Sequence, residues 1–101
     1  MKMQKFRVEI APVVIEEIEE TVLYIAKDSV IDAMSWSFEI QKKIQSLEQF
    51  PARCPLAEES QLFDYDIHHL IVGNFRVLFR IEETTVKVLH LRSGWQSRKF
   101  I

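Results

Sequence analysis

The sequence is poor in cysteine, glycine and proline, with one, two and three of these among its 101 residues. The single cysteine, Cys54, allows no intramolecular disulfide and is typical of a protein from a reducing compartment. Gly73 and Gly94 cannot build a glycine-rich phosphate-binding loop, and no Cys/His cluster has zinc-ligand spacing. We therefore expect neither a metal site nor a cofactor.

Long apolar runs are also missing. No run approaches the ~18 to 20 residues that a membrane span needs, and residues 1–10 lack the apolar block of a signal peptide. We expect a cytoplasmic protein. The hydrophobic content of 48% excludes a disordered chain, and the length predicts one domain, 1–101, with a modest core.

The net charge of −2 hides an uneven distribution. Residues 11–66 carry four bases and twelve acids, whereas residues 67–101 carry six bases and two acids. This pattern indicates either two electrostatic faces or simply surface helices rich in glutamate.

Hydrophobic periodicity predicts a strand and two helices in the first half. Residues 5–10 alternate as a half-buried strand, and Pro12 opens a helix. Its predicted buried stripe is Val14, Ile18, Val22 (with Ile15) and Ile25. Ser29 and Asp32 resemble a capping box for a second helix, from about 30 to 49, which Phe50-Pro51 ends. Its predicted face is Ala33, Ser37, Ile40, Ile44 and Leu47, widened by Ile31, Met34 and Phe38.

The second half predicts a loop over 51–66 and three strands at about 67–72, 74–82 and 85–92. The order β-α-α-β-β-β indicates an α+β fold, with a helical hairpin on one face of a mostly antiparallel sheet. In the middle strand, Phe75, Val77, Phe79 and Ile81 point one way. Arg76 and Arg80 point the other way, and we expect them on a partly open face together with Arg92.

Three segments in order resemble the RelE/ParE superfamily of bacterial toxins: VEIAPVVIEEIEETVLYIAKD, IQSLEQFPARCP and VGNFRVLFRIEETTVKVLHLRSGWQ. The shared features are an opening strand, a proline-led acidic helix, a Leu-x-x-Phe-Pro helix end, a strand with Phe-Arg-Val-x-Phe and a basic ending. LHLRSG brings the chain closest to ParE and plasmid-stabilisation proteins.

The resemblance implies a growth-inhibiting toxin of a type II toxin–antitoxin pair, neutralised by a cognate protein antitoxin. ParE-like members poison DNA gyrase and need no nuclease site. RelE-like members are enzymes that cut ribosome-bound mRNA without a metal. A third alternative is a non-toxic interaction module. The oligomeric state is left open between a homodimer and a toxin–antitoxin hetero-oligomer.

If the chain is a nuclease, the catalytic candidates are Arg76, Arg92, His69 and His90. Metal-free RNA cleavage needs a base, an acid and cations at the phosphorane, and Arg76 matches the strand arginine that RelE-like nucleases use. An arginine paired with an acid of the helices or antitoxin is the alternative. No tyrosine follows Tyr65, so the C-terminal tyrosine of RelE is absent.

Large apolar and basic side chains are the candidates for partner binding. Trp36 and Phe38 lie at the edge of the second helix's apolar stripe, where we expect an antitoxin or a second copy to dock. Arg80 and Trp95 are the other two candidates; Trp95 is as well explained as closing the core.

Overall fold

A computed structural model describes residues 4–93. Its strands are β1 (Arg7–Ile10), β2 (His68–Val72), β3 (Phe75–Glu82) and β4 (Thr85–Ser93), and its helices are α1 (Pro12–Ala26) and α2 (Val30–Gln45). Short 3-10 helices occupy Ser46–Glu48, Pro51–Arg53 and Glu58–Leu62. The order confirms the predicted β-α-α-β-β-β chain, with 3-10 turns inside what the sequence predicts as a loop.

The helix starts follow their capping residues. Ala11 precedes α1 and offers no side-chain cap, whereas the Ser29 hydroxyl accepts a hydrogen bond from the Asp32 N–H at 3.1 Å. This contact satisfies one of the free donors in the first turn of α2. Only residues 27–29 separate α1 from α2, and the two helices pack together as the predicted hairpin.

The sheet order is β1-β4-β3-β2. β1 pairs in parallel with the first half of β4, from Thr85 to Val88, while β4–β3 and β3–β2 are antiparallel. Both helices pack on one side, so the predicted α+β architecture with a mostly antiparallel sheet is confirmed. The core between helices and sheet includes Val14, Ile18, Ile40, Ile44, Leu47, Val77, Phe79, Val86, Val88 and Leu91.

We call the side of the sheet away from the helices the outer face; it carries His69, Ile71, Arg76, Leu78, Arg80, His90 and Arg92. Residues 54–67 fold across part of it. Ala57 and Ile67 pack on Leu78 in a second small core, joined by Tyr65 and Leu89. The three arginines lie on the predicted face, which stays partly open, with Ile71 61% exposed. The expectation that they line its exposed part is wrong, because the side chains of Arg76, Arg80 and Arg92 are only 13%, 28% and 15% exposed.

Three helical predictions need correction. α2 ends at Gln45 rather than 49, and a 3-10 turn continues to Glu48. Ile31, Met34 and Phe38 do not widen its buried face, being 76%, 68% and 70% exposed. At 3.6 residues per turn they lie roughly opposite Ala33, Ile40 and Ile44, which fill the core side. In α1, Ile15 is likewise exposed, at 45%.

Candidate functional site

Arg76 and Arg92 are direct cross-strand partners on the outer face. The antiparallel register of β3 and β4 pairs them side by side, next to the pair formed by Leu78 and His90. A bulge follows, because Phe79 pairs with Val88 and leaves Leu89 as the extra residue. Since like charges directly opposite each other destabilise a sheet, each arginine needs an anion close to it.

The anion next to Arg76 is Glu59, from the 3-10 helix Glu58–Leu62. Its two carboxylate oxygens accept hydrogen bonds from Nη1 and Nη2 of Arg76, the first at 3.1 Å, and Glu59 is only 2% exposed. Burial opposes ionisation of Glu59, but the hydrogen bonds and charge of Arg76 outweigh it and lower its pKa. The result is a bidentate, buried ion pair.

His69 joins the same network from β2. Nη1 of Arg76 lies 3.0 Å from Nδ1 of His69, and because a guanidinium can only donate, Nδ1 is the acceptor and the ring is neutral. Burial and the positive charge of Arg76 lower the pKa of His69. The histidine is therefore held in its unprotonated form.

Glu17 of α1 is the carboxylate that contacts Arg92, and it also accepts a backbone hydrogen bond from β4. Its Oε1 accepts the backbone N–H of Leu91 at 2.8 Å, beyond the segment of β4 that β1 pairs with. Its Oε2 lies 3.4 Å from Nη1 of Arg92 and 3.3 Å from Nδ1 of His90. The carboxylate thus takes the place of a neighbouring strand at this edge of β4.

Arg80 is engaged by an aromatic ring and a carboxylate. Its guanidinium lies 4.2 Å from the ring centroid of Tyr65, a cation–π geometry, and Nη2 is 3.4 Å from Glu82. Lys87, opposite Arg80 in the register, pairs with the same glutamate at 2.8 Å.

The structure brings all four candidate catalytic residues to one face. Arg76 and His69 are in direct contact, and Arg92 and His90 share Glu17. A phosphate approaching the outer nitrogens of Arg76 would have to displace Glu59. Arg76 and Arg92 are consequently each paired with a carboxylate of the chain itself.

The partner-binding candidates fall in different environments. Trp36 is partly buried against the core and lies 5.1 Å from the ring of Phe75, whereas Phe38 is 70% exposed. His68 faces the helices and stacks on Phe79, so it lies on the opposite face of β2 from His69. Trp95 lies outside the described residues.

A groove of about 680 Å³ runs between α1 and α2. Its apolar lining is Ile10, Ile15, Ile18, Val22, Leu23 and Ile44, and its polar lining is Glu19, Ser37, Gln41 and Gln45. Glu16 is exposed nearby. Among the residues the structure describes, no cation pairs with Glu16 or Glu19, so one wall of the groove is apolar and acidic.

Comparison with known proteins identifies the family. The family described as "ParE toxin of type II toxin-antitoxin system, parDE" matches residues 8–97. The chain belongs to this ParE toxin family. No curated protein gives a significant match to the sequence.

Two solved structures share the ParE-like fold of this chain. The chromosomal ParDE toxin–antitoxin system from P. aeruginosa superposes with a TM-score of 0.73 at 12% identity, covering 89% of this chain and 97% of that one. The toxin–antitoxin complex RelBE2 from Mycobacterium tuberculosis gives 0.51 at 20% identity, covering 88% and 98%. At these identities the likeness concerns the fold alone.

Sequence reasoning missed Glu59 and Glu17 as the partners of the arginines in this ParE-family chain. Glu17 had a signal, because it lies three residues after Val14 and one before Ile18, at the edge of the buried stripe of α1. Nothing in the sequence pointed to Glu59, because its segment has no hydrophobic periodicity and it stands beside another glutamate, Glu58.

Two further observations concern residues 4–93. No group of three His, Cys, Asp or Glu side chains in this range comes together to hold a metal ion. Neither helix has the length and apolar character required to cross a bilayer.

Proposed function

We propose that this ParE-family toxin arrests growth by binding a protein target, DNA gyrase, and not by cutting RNA. The observation that carries the proposal is the pairing of Arg76 with Glu59, which is 2% exposed. In this chain the strand arginine fastens a loop to the sheet. A gyrase poison needs a binding surface and no free phosphate-binding arginine.

The chemistry of RNA cleavage argues in the same direction. A general base must accept the 2′-OH proton, yet Nδ1 of His69 already accepts a hydrogen bond from Arg76. A cation must stabilise the phosphorane, yet both outer nitrogens of Arg76 are bound to a carboxylate. Both residues would have to leave their partners before they could act.

The inactive state, in this proposal, is a complex with a cognate antitoxin that fills the groove between α1 and α2. An apolar, concave groove between two helices suits one face of an amphipathic segment. The carboxylate of Glu19 in the lining, with Glu16 exposed on the same helix, favours lysine or arginine on the flank of that segment. Toxin and target would meet in the cytoplasm.

A RelE-type endonuclease is the second candidate, and one observation favours it. Arg76, Arg92, His69 and His90 lie on the same face of the sheet, as a site built on adjacent strands requires. Activity would need substrate to displace Glu59 and Glu17, at the cost of two ion pairs.

The deciding experiment induces the chain in bacteria without an antitoxin and follows methionine and thymidine incorporation in parallel. A first fall in thymidine incorporation supports gyrase, and purified gyrase should then lose supercoiling activity on addition of the chain. An immediate fall in methionine incorporation alone would replace this proposal with mRNA cleavage. No change in either would indicate a non-toxic module.

A double variant at Arg76 and Glu59 tests whether the arginine is structural or catalytic. If the arginine is structural, the double variant Glu59→Leu with Arg76→Met retains growth arrest, because both charges are removed together. Loss of arrest in this variant, with folding intact by circular dichroism, would favour the nuclease.

A further inference from the structure

The solvent-facing side of α2 carries further exposed apolar side chains beside the groove. Ile31, Met34 and Phe38 are 76%, 68% and 70% exposed, and none of them lines the groove. Their spacing of three and four residues places them on one face of the helix. We call these three side chains the α2 stripe.

The α2 stripe is a convex helix face and not a pocket. It faces solvent on the side of α2 turned away from the core-facing residues Ala33, Ile40 and Ile44, next to the groove-lining Gln41 and Gln45. Monomeric proteins rarely expose several large apolar side chains side by side. A convex helix face of this kind is covered most simply by a second helix laid along it.

The charges along α2 indicate which helix fits. Asp32 lies in its first turn, and Lys42 and Lys43 lie in its last turn, with all three on the same flank of the stripe at 3.6 residues per turn. Parallel pairing of two such helices would set Asp32 of one copy level with Asp32 of the other, and would keep it away from Lys42. Antiparallel pairing brings the acidic start of one to the basic end of the other, and it also aligns the helix dipoles favourably.

We propose that the α2 stripe is a self-association surface, on which two copies of this chain pair their α2 helices antiparallel about a twofold axis. With the axis near residue 36, Met34 of each copy meets Phe38 of the other. Asp32 then comes within a helical turn of Lys42 of the second copy. Such an interface is isologous, since each copy offers the same patch.

The area of the interface sets the expected affinity of the dimer. A single helix face contributes less than the ~800 Å² per partner of a standard interface, so the dimer should be weak and reversible. The acidic side of α1 does not suit self-association, because two copies that met there would place their glutamates against each other. A partner on that side would need to be basic.

Sedimentation velocity on the purified chain tests the inference. We expect reversible dimer formation, with half-dissociation at roughly 10 to 100 µM for an interface below standard size. Phe38→Asn should weaken the dimer by at least about tenfold, the factor that corresponds to ~1.4 kcal/mol. Phe50→Asn is the matched control, because Phe50 is similarly exposed at 66% but lies outside α2.

A charge exchange tests the antiparallel register. Lys42→Glu should weaken the dimer by placing two acids together, and adding Asp32→Lys should restore it. Circular dichroism establishes that each variant keeps its helices, and Arg7→Glu, a charge reversal at an exposed site outside α2, provides a folded control.

Three results would overturn the inference. The wild-type chain could sediment as a monomer up to about 1 mM, beyond the range of specific association. Dimers could form that Phe38→Asn and Phe50→Asn weaken equally. Lys42→Glu could weaken the dimer while the exchanged pair fails to restore it. None of these results bears on growth arrest, which is measured separately in cells.

Discussion

The carboxylate of Glu59 binds both outer nitrogens of Arg76 across 17 residues of chain. One residue belongs to a 3-10 helix and the other to a central strand, so the ion pair fastens residues 54–67 onto the outer face. It also gives one arginine of the basic segment 67–101 a carboxylate partner within the chain. An arginine in a sheet is a phosphate ligand only when its guanidinium is free to meet one.

Removing one partner of this ion pair should lower the stability of the protein substantially. Arg76→Met leaves Glu59 buried without a cation, and the expected loss in unfolding free energy is about 3 to 5 kcal/mol. Replacing both, as Arg76→Met with Glu59→Leu, should recover most of that loss, because no buried charge remains unpaired. Urea unfolding of the single and double variants completes a double-mutant cycle. Glu58→Gln, at the exposed neighbour, is the control; equal effects of Glu58→Gln and Glu59→Gln would contradict the assignment.

The sequence predicted the elements well, because strand and helix periodicities are local. The alternation around Phe75, Arg76 and Val77 placed each residue on its observed face. The α2 stripe was misassigned because α2 has apolar residues on two opposite sides, and periodicity alone does not say which side meets the sheet. Glu59 was missed because its partner lies in another element and its own segment has no repeat to indicate direction.

Glu17 should be more sensitive to loss of its hydrogen bonds than to loss of its charge. Glu17→Ala removes the acceptor for the Leu91 N–H, and we expect a loss of about 2 kcal/mol, the value for a hydrogen bond to a charged group. Glu17→Gln keeps an acceptor oxygen and should cost less. Thermal unfolding of both variants beside Glu16→Ala measures the difference. If Glu17→Ala proves no more harmful than Glu16→Ala, the carboxylate does not hold the edge of β4.

Acid should destabilise the outer face through His69 and then Glu59. The pKa of His69 is lowered in the folded state, so the unfolded chain binds its proton first and stability falls as pH drops below the unfolded value of ~6.5. The pKa of Glu59 is also lowered, which adds a further loss below about pH 4.5. His69→Gln keeps an acceptor for Arg76 without titrating. It should flatten the stability profile between about pH 5 and 7.

Denaturant unfolding at several pH values gives this profile directly. The wild-type chain contains His68 and His90 as well, so the informative quantity is the difference between wild type and His69→Gln at each pH. A difference that stays constant from neutral to mildly acidic pH would show that His69 is not held neutral by Arg76.

The cap of α2 offers a prediction free of charge effects. Ser29→Ala removes the acceptor for the Asp32 N–H and should cost about 1 kcal/mol. Ser35→Ala, in the exposed middle of the same helix, should instead be neutral or slightly stabilising, because alanine is the better helix former. The two thermal shifts should therefore have opposite signs; a shared sign would indicate that Ser29 does not act as the cap.

The position of β4 between β1 and β3 has a consequence for synthesis of the protein. A ribosome that has translated residues 7–82 has already made both flanking strands but not the strand that joins them. β1 then has no partner in the sheet, and α1 has no Leu91 N–H for Glu17 to bind. Because such non-local pairing waits for the distant segment, the fold closes only after β4 has been translated. A product that stops before residue 85 should therefore be inert and readily degraded, and its cell would be spared.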